Sequence, residues 1–512
     1  MKTFKTIRTV IAMAMLALLS VGCNSKDGEV LEELDVNRVF APTDFSARIR
    51  NMTTIELSWY VRTDAERYVV EFAEGSGFNN IIRTVEVQPD QLPVSEQFAG
   101  ETLYSVRVKA IATGKNDSKW ASLSIQTDPE QIFLPSQDGD IQALEATLRW
   151  PAGSEVTHLV INPGNLERPI TTAEAGAGSA TITGLTGETE YTVLLRNNAQ
   201  LRGTAIFTTL IDIGDATLVE AEDDLSLAIA EAADGDVLVL APGVYEAFAG
   251  DIVLDKSISL RGLYPYDKPV LNVTFTMAPG LQDLELRDLE LVGITDMTTL
   301  VNMSNAGNYN SVTISGCTIS DYGRQIIYGN TAGAILSNLY IDNTVVSNFI
   351  GGGGDFIDFR NGNLHNLEVT NSTFIDAPNG RDFIRMDAGG ASGSGVTATI
   401  LIDHCTFVGV SNTKDRITYI RYENNDITVT YNLFADTDAY YSNQNGTDEE
   451  ITFGFNNYFN APNMYSSTEN RYDTSSTYTT LDPGFVDPAN GDYTVTNQSL
   501  LDEGIGDPRW LQ

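Results

Sequence analysis

Four phrases in this sequence share one pattern, with isoleucine and an aromatic in all four and arginine and acidic residues in the last three: QIIYGN (325–330), DFIDFR (355–360), DFIRMD (382–387) and TYIRYE (418–423). Aligned as strands, their third column is Ile327, Ile357, Ile384 and Ile420. An all-isoleucine column reads as core. A side-chain period of two then sends Gly329, Phe359, Met386 and Tyr422 inward as well. The expected outward columns are Ile326, Phe356, Phe383 and Tyr419; Tyr328, Asp358, Arg385 and Arg421; and Asn330, Arg360, Asp387 and Glu423, with Arg381 on the rim. Arginine and carboxylate side chains make bidentate hydrogen bonds to hydroxyls and carboxylates, and aromatic rings stack on the apolar faces of sugars. Large aromatics on a solvent face need something to cover them. These eleven outward or rim positions, Tyr328, Phe356, Asp358, Arg360, Arg381, Phe383, Arg385, Asp387, Tyr419, Arg421 and Glu423, form the expected carbohydrate-binding face. The alternative is scaffold, although exposed ion pairs add little stability.

The same residues could also serve elimination. A polysaccharide lyase needs a cation to neutralise a uronate carboxylate and a base to remove the adjacent proton. Arg385 and Arg421 would supply the base, with Asp358, Asp387 or Glu423 holding Ca²⁺ through oxygen. An arginine base must release a proton held with a pKa above about 12. The one lysine nearby, Lys414, falls in a loop. Hydrolysis needs paired carboxylates, for which Asp358 and Asp387 are the candidates. Non-catalytic binding is therefore the expectation, with Ca²⁺ entering only in the lyase alternative.

A repeat positions these columns. LRDLEL, ISGCTI, IDNTVV, VTNSTF, IDHCTF, VTYNLF and GFNNYF align on Leu289, Cys317, Thr344, Ser372, Cys405, Asn432 and Tyr458 or its neighbour, with gaps of 28, 27, 28, 33, 27 and about 25. Such a period marks a solenoid. Cys317 and Cys405 share a column three rungs apart, about 14 Å, beyond disulfide reach. They read as core thiols. Ahead of the repeat, Leu225, Ile229 and Ala232 have helical spacing and predict a helix covering the open end of the coil. The Gly- and Pro-containing tail from about residue 480 predicts a loop-rich cap. Earlier still, two runs of short alternating strands occupy 39–127 and 128–210, each with a tryptophan (Trp59, Trp150) and a later Gly-Glu-Thr phrase leading to Tyr104 or Tyr191.

These phrases resemble known families. The two runs resemble fibronectin type III domains. Gly235-Asp236, Leu240, Pro242-Gly243 and Tyr245 resemble the cap and first rung of right-handed parallel β-helices of the pectate lyase and chondroitinase B type. The ITYIRYENN phrase is similar to the arginine rung of the chondroitinase B and alginate lyase family. The implied fold is all-β: two immunoglobulin or fibronectin III-like sandwiches, then a right-handed single-stranded parallel β-helix over 217–512.

The amino terminus is an address. Lys2, Lys5 and Arg8 precede an apolar run ending near Cys23, the size of a signal peptide rather than a membrane span. It resembles a bacterial lipoprotein signal (1–22) with lipidation at Cys23, followed by a linker over 23–38. The whole arrangement resembles the surface glycan-binding lipoproteins of Bacteroidetes polysaccharide-utilisation systems. That resemblance implies a polysaccharide ligand, an outer-membrane lipid anchor with cell-surface exposure, and a glycan transporter complex as partner. An adhesin or structural stalk is a further alternative. With 31 basic against 69 acidic residues the formal charge is −38, which excludes the basic footprint that nucleic acid demands. Against that background, Arg360, Arg381, Arg385 and Arg421 lying close together point to a uronate-containing polymer.

Overall fold

The structure is a computed structural model. It describes residues 37–349, 353–387, 397–422, 424–447, 450–468 and 470–511. Cys23 and Glu423 lie outside the described residues, as do the signal segment and most of the linker.

The first run forms two antiparallel sheets. One has three strands, Thr43–Arg50, Thr54–Tyr60 and Val94–Gln97. The other has four, in the order Ile81–Val87, Arg67–Glu74, Leu103–Ile111 and Ala121–Gln126. Alternation puts Ile55, Leu57 and Trp59 in the core with Tyr68, Val70 and Phe72. Tyr104 is buried, and its hydroxyl accepts a hydrogen bond from the Ala99 N–H at 3.2 Å. The second run repeats the pattern. Its four-stranded sheet orders Leu166–Pro169, His158–Asn162, Glu190–Asn197 and Gln200–Thr208, and its two-stranded sheet pairs Glu145–Arg149 with Ser179–Thr183. Trp150 and Tyr191 are buried. Both runs are fibronectin type III-like.

From Thr217 onward the chain coils as a parallel β-solenoid of about seven turns. Among the described residues it has three parallel sheets. The first face has ten strands, from Thr217–Val219 to Thr452–Gly454; the second has eight, from Val270–Leu271 to Asn457–Phe459; the third has seven, from Gly250–Leu254 to Thr418–Ile420. The repeat arises at the corners. Each three-residue strand of the second face is preceded by a residue in the left-handed region, and all but Glu290–Val292 are followed by one. Asp288, Asn343, Asn371, His404, Tyr431 and Phe455 have φ of 48–55° on one side, and Asp321, Asn348, Asp376, Asp436 and Asn460 have φ of 48–65° on the other. Asn and Asp tolerate this conformation best, so they punctuate most rungs. The inward corner column is Leu289, Cys317, Thr344, Ser372, Cys405, Asn432 and, at the last rung, Asn456. All seven are buried. Cys317 and Cys405 are free thiols, and burial pushes the Cys317 thiol up to about 12.

Rungs approach closely at Gly262, where a Cβ would lie 2.1 Å from the Asp288 carbonyl oxygen. Backbone cannot yield as a side chain end can. Gly262→Ala is expected to cost about 1–3 kcal/mol, the usual penalty of overpacking, read as a lower thermal midpoint of the solenoid transition. An unchanged midpoint would mean that the rungs can spread at this corner.

The expected end cover is the Leu225–Glu231 helix, which buries Leu225 and Ile229 in the solenoid core. The Asp224 side chain accepts from the Leu227 N–H at 3.1 Å, and Lys256 Nζ donates to the Ala230 and Ala232 carbonyls at 2.9 and 2.6 Å. Ala232 itself is the C-cap. The tail does more than close an end. It runs back along the second face: Asp507 bonds Thr373 and Thr406, the Trp510 indole N–H donates to Thr373, and Arg509 reaches Asn343. Val495, Leu500 and Ile505 bury against Leu433.

Candidate functional site

The third face carries the four phrases, and its register corrects their alignment. Ile327 pairs with Ile357, and Ile357 with Ile384, as expected. The next partner of Ile384 is Thr418, not Ile420, which pairs with Met386. The final phrase therefore shifts by two residues. The neighbour of Arg385 is Tyr419. Arg421 falls beside Asp387, its Nη1 3.8 Å from the carboxylate. Tyr422 is buried, as expected, but outside the column first assigned to it.

A second correction concerns the aromatic stripe. Ile326, Phe356 and Phe383 do not face outward; all are 0% exposed. The strands proper begin at Ile357 and Ile384. Phe356 and Phe383 sit where the chain turns into the strand, so the period of two does not yet apply and both consecutive residues point into the coil. There Phe356 stacks on Phe383 at 5.1 Å. Phe383 also meets Phe374 edge-on at 4.9 Å and Phe407 at 5.3 Å. Both phenylalanines leave the expected binding set.

What the face does expose is a set of arginine guanidinium groups gathered on buried carboxylates, centred on Asp355, a residue absent from the expected set; Asp358, expected outward, is likewise 0% exposed. The Asp355 carboxylate is 0% exposed and accepts from three guanidinium groups. Arg381 approaches Oδ1 through Nε at 3.1 Å and Nη2 at 3.0 Å. Arg360 Nη2 and Arg385 Nη1 approach Oδ2 at 2.9 and 3.2 Å. Arg360 also donates through Nε to Asp358 at 3.0 Å, and Arg385 grips Asp387 through Nε and Nη2 at 3.3 and 3.0 Å. One residue before Phe383, buried Asp382 accepts from the Arg416 N–H at 2.9 Å and from its Nη2 at 2.6 Å. The Tyr419 ring lies 4.7 Å from the Arg385 guanidinium and 4.8 Å from that of Arg416. Tyr328, half-buried, accepts from Asn330 at 2.7 Å. Asp355 and Asp382 carried a sequence signal: each opens a repeated Asp-Phe-Ile phrase.

The cluster's protonation follows from burial and pairing. Burial alone would lower the Arg385 guanidinium, but hydrogen bonds and charge from Asp387, with Asp355, more than offset it, and the net shift is upward. Burial pushes Asp358 up against the pull of Arg360. Burial likewise pushes Asp382 up to about 6, against the pull of Arg416 and aided by the charge of Asp355. Folded Asp382 thus holds its proton to higher pH than the unfolded group, whose ordinary value is 3.8. The folded state binds the extra proton between about pH 4 and 6, so this group's contribution to stability falls as pH rises through that window. Relative to Asp382→Asn, the wild-type chain is expected to lose urea resistance between pH 4 and pH 7. A pH-independent difference between the two would exclude the shift.

Of the three residues expected to hold Ca²⁺, Glu423 lies outside the described residues. Asp358 and Asp387 are each engaged by arginine, and among the described residues no group of three or more His, Cys, Asp or Glu is placed to hold a metal. Lys414 is exposed in a loop.

Fold and site together describe an all-β protein of fibronectin type III-like sandwiches followed by a parallel β-solenoid with a polar, arginine-rich face. Two family models match within the solenoid, both described as domains of unknown function: DUF4957 over residues 243–377 and DUF5123 over residues 400–510. A comparison with curated proteins finds no match. Among solved structures, the chain is similar to a two-domain fibronectin type III segment of chicken tenascin, with 19% identity over 33% of this chain and 99% of that one and a TM-score of 0.24. It is also similar to the central fibronectin III array of RIM-binding protein (18% identity, 36% and 65% coverage, TM-score 0.15) and to the FN1–FN3 domains of chicken CNTN1 (17%, 34% and 67%, TM-score 0.16). At these scores the likenesses say nothing about function.

Proposed function

We propose that this chain is a surface lipoprotein, anchored through Cys23, that binds a uronate-containing polysaccharide on the third face of its solenoid. The observation that carries the reading is the convergence of Arg360, Arg381 and Arg385 on Asp355. Arg360, Arg381, Arg385 and Arg421 face Asp355, Asp358 and Asp387, four positive charges to three negative among the described residues. In a protein of charge −38, this is a place where a carboxylated chain is not repelled. Guanidinium groups match carboxylates bidentately, and Tyr328 and Tyr419 add aromatic edges. On this reading the sandwiches hold the solenoid away from the membrane, and captured glycan passes to a transporter partner.

Binding is favoured over elimination because Arg385, one of the two arginines a lyase would use as base, is held protonated by two carboxylates. The test offers polygalacturonate, alginate, chondroitin and neutral glucans to the full chain, with and without Ca²⁺, and reads both gel retardation and absorbance of unsaturated uronate. Retardation by at least one polyuronate without unsaturated product is the expected result. Product formation would replace the binder with a lyase, and no retardation by any glycan would favour the stalk alternative.

A further inference from the structure

A buried carboxylate shared by three arginines is costly scaffolding. Taking ions out of water is expensive, and apolar residues of similar volume usually serve stability as well or better. The position of Asp355 gives it another use. It lies in a column at the edge of the third face that reads Thr299, Gln325, Asp355, Asp382, Arg416 from rung to rung. The first four are buried. Thr299 Oγ1 donates to Gln325 Oε1 at 2.8 Å, so the column begins as a neutral hydrogen-bonded line and becomes charged at Asp355. The three arginines that meet there come from different places. Arg360 ends the same rung, Arg381 precedes the next, and Arg385 lies within that next strand. Their backbones share no element, yet both oxygens of one carboxylate fix all three guanidinium groups. The arginines remain 20–34% exposed while the carboxylate is not exposed at all. Asp355 therefore cannot touch a polymer lying on the face, but the guanidinium groups it holds can.

We infer that Asp355 is a positioning residue, which assembles Arg360, Arg381 and Arg385 into one preorganised donor group selecting ligands with an oxyanion over neutral glycans. The inference rests on the binding reading above. Preorganisation lowers the ordering cost that three long, flexible side chains would otherwise meet on binding. It also makes a prediction opposite in sign to that of simple charge. Asp355→Asn makes the face more positive by one charge, so long-range attraction alone would tighten the binding of a polyanion. Loss of positioning would weaken it.

The experiment measures affinity of the full chain for polygalacturonate and for a neutral glucan, comparing wild type, Asp355→Asn and Arg421→Gln. Arg421→Gln removes a charge outside the Asp355 group, at a side chain 49% exposed. Asp355→Asn is expected to lose at least about tenfold in affinity for polygalacturonate, the scale of disturbing charge-assisted contacts, with no gain for the glucan. Arg421→Gln is expected to lose about threefold or less. Equal or tighter binding by Asp355→Asn would overturn the positioning role. Should Asp355→Asn fail to fold, a cycle of Arg360→Gln, Arg381→Gln and their double variant decides instead. A group held by one carboxylate loses most of its affinity at the first substitution, so the double variant is markedly less than additive; additive losses would overturn the inference. No binding of any glycan by the wild-type chain would overturn the binding reading itself, whereas wild-type binding with an unaffected Asp355→Asn would overturn the positioning role alone.

Discussion

Phe383→Ala is expected to destabilise the solenoid by about 3–5 kcal/mol, the range for removing a large aromatic from a packed core. The ring is fully buried and touches Phe356, Phe374 and Phe407. Those three continue into a stack from Phe407 to Phe434 at 4.6 Å and from Phe434 to Tyr458 at 5.6 Å, so the vacated space is bordered by rings held by their own neighbours. Such a site collapses poorly. Had Phe383 stood on the surface as a sugar platform, the same substitution would change stability by no more than about 0.5 kcal/mol and would instead abolish binding. Chemical unfolding followed by far-ultraviolet dichroism separates the two. A variant with wild-type stability and lost glycan affinity would restore the outward assignment that the packing contradicts.

The second large effect belongs to Arg381 and Arg385 together. Replacing both with alanine is expected to weaken polyuronate binding at least a hundredfold. A hydrogen bond to a charged group is worth about 1.5–3 kcal/mol, the upper end of which is about a hundredfold, and removing two of the three guanidinium groups dismantles the donor group as a unit. Asp355 keeps Arg360 as its partner in the double variant, at 2.9 Å, so the fold is expected to survive. Titration of the purified chain against polygalacturonate, with the thermal midpoint measured in parallel, reads binding and folding separately. Less than a threefold loss would move the binding surface away from this cluster.

The sequence made the coil legible because its corners are chemically explicit. Asn and Asp recur where the backbone turns left-handed, and small or polar residues recur in the inward column beside them. The two sandwiches were legible for a similar reason, since Trp59, Tyr104, Trp150 and Tyr191 occupy buried positions that few other residues fill as well. The third face was harder to read. Its strands are only three residues long at Ile357–Phe359, Ile384–Met386 and Thr418–Ile420. A period of two cannot establish itself over so short a run, and residues at the corner, such as Phe356 and Phe383, follow the direction of the turn instead. Register suffered from repetition: Ile-Arg occurs at both 384–385 and 420–421, and matching the two aligned the wrong residues. Asp355 was missed because a period of two assigns the first column of its phrase to the inward set with Ile357 and Phe359. Its repetition with Asp382 before Phe-Ile was the available clue.

The tail lying on the second face has a consequence for how the molecule comes apart. Within the coil most contacts join neighbouring rungs, with a few such as Tyr322 to Val273 and Tyr422 to Gly362 reaching one rung further, so short groups of rungs could peel from an end. The Thr373–Asp507 and Trp510–Thr373 bonds join residues 134 and 137 positions apart, and Arg509 reaches Asn343 across 166. These contacts tie the last residues of the chain to rungs in its middle, like a cord drawn back along a stack of coins. Loss of rungs from the carboxyl end must first release that cord, so the later turns open together or not at all. The same geometry delays completion of the fold until the final residues have been made, since the contacts that lock the earlier rungs are the last to be synthesised.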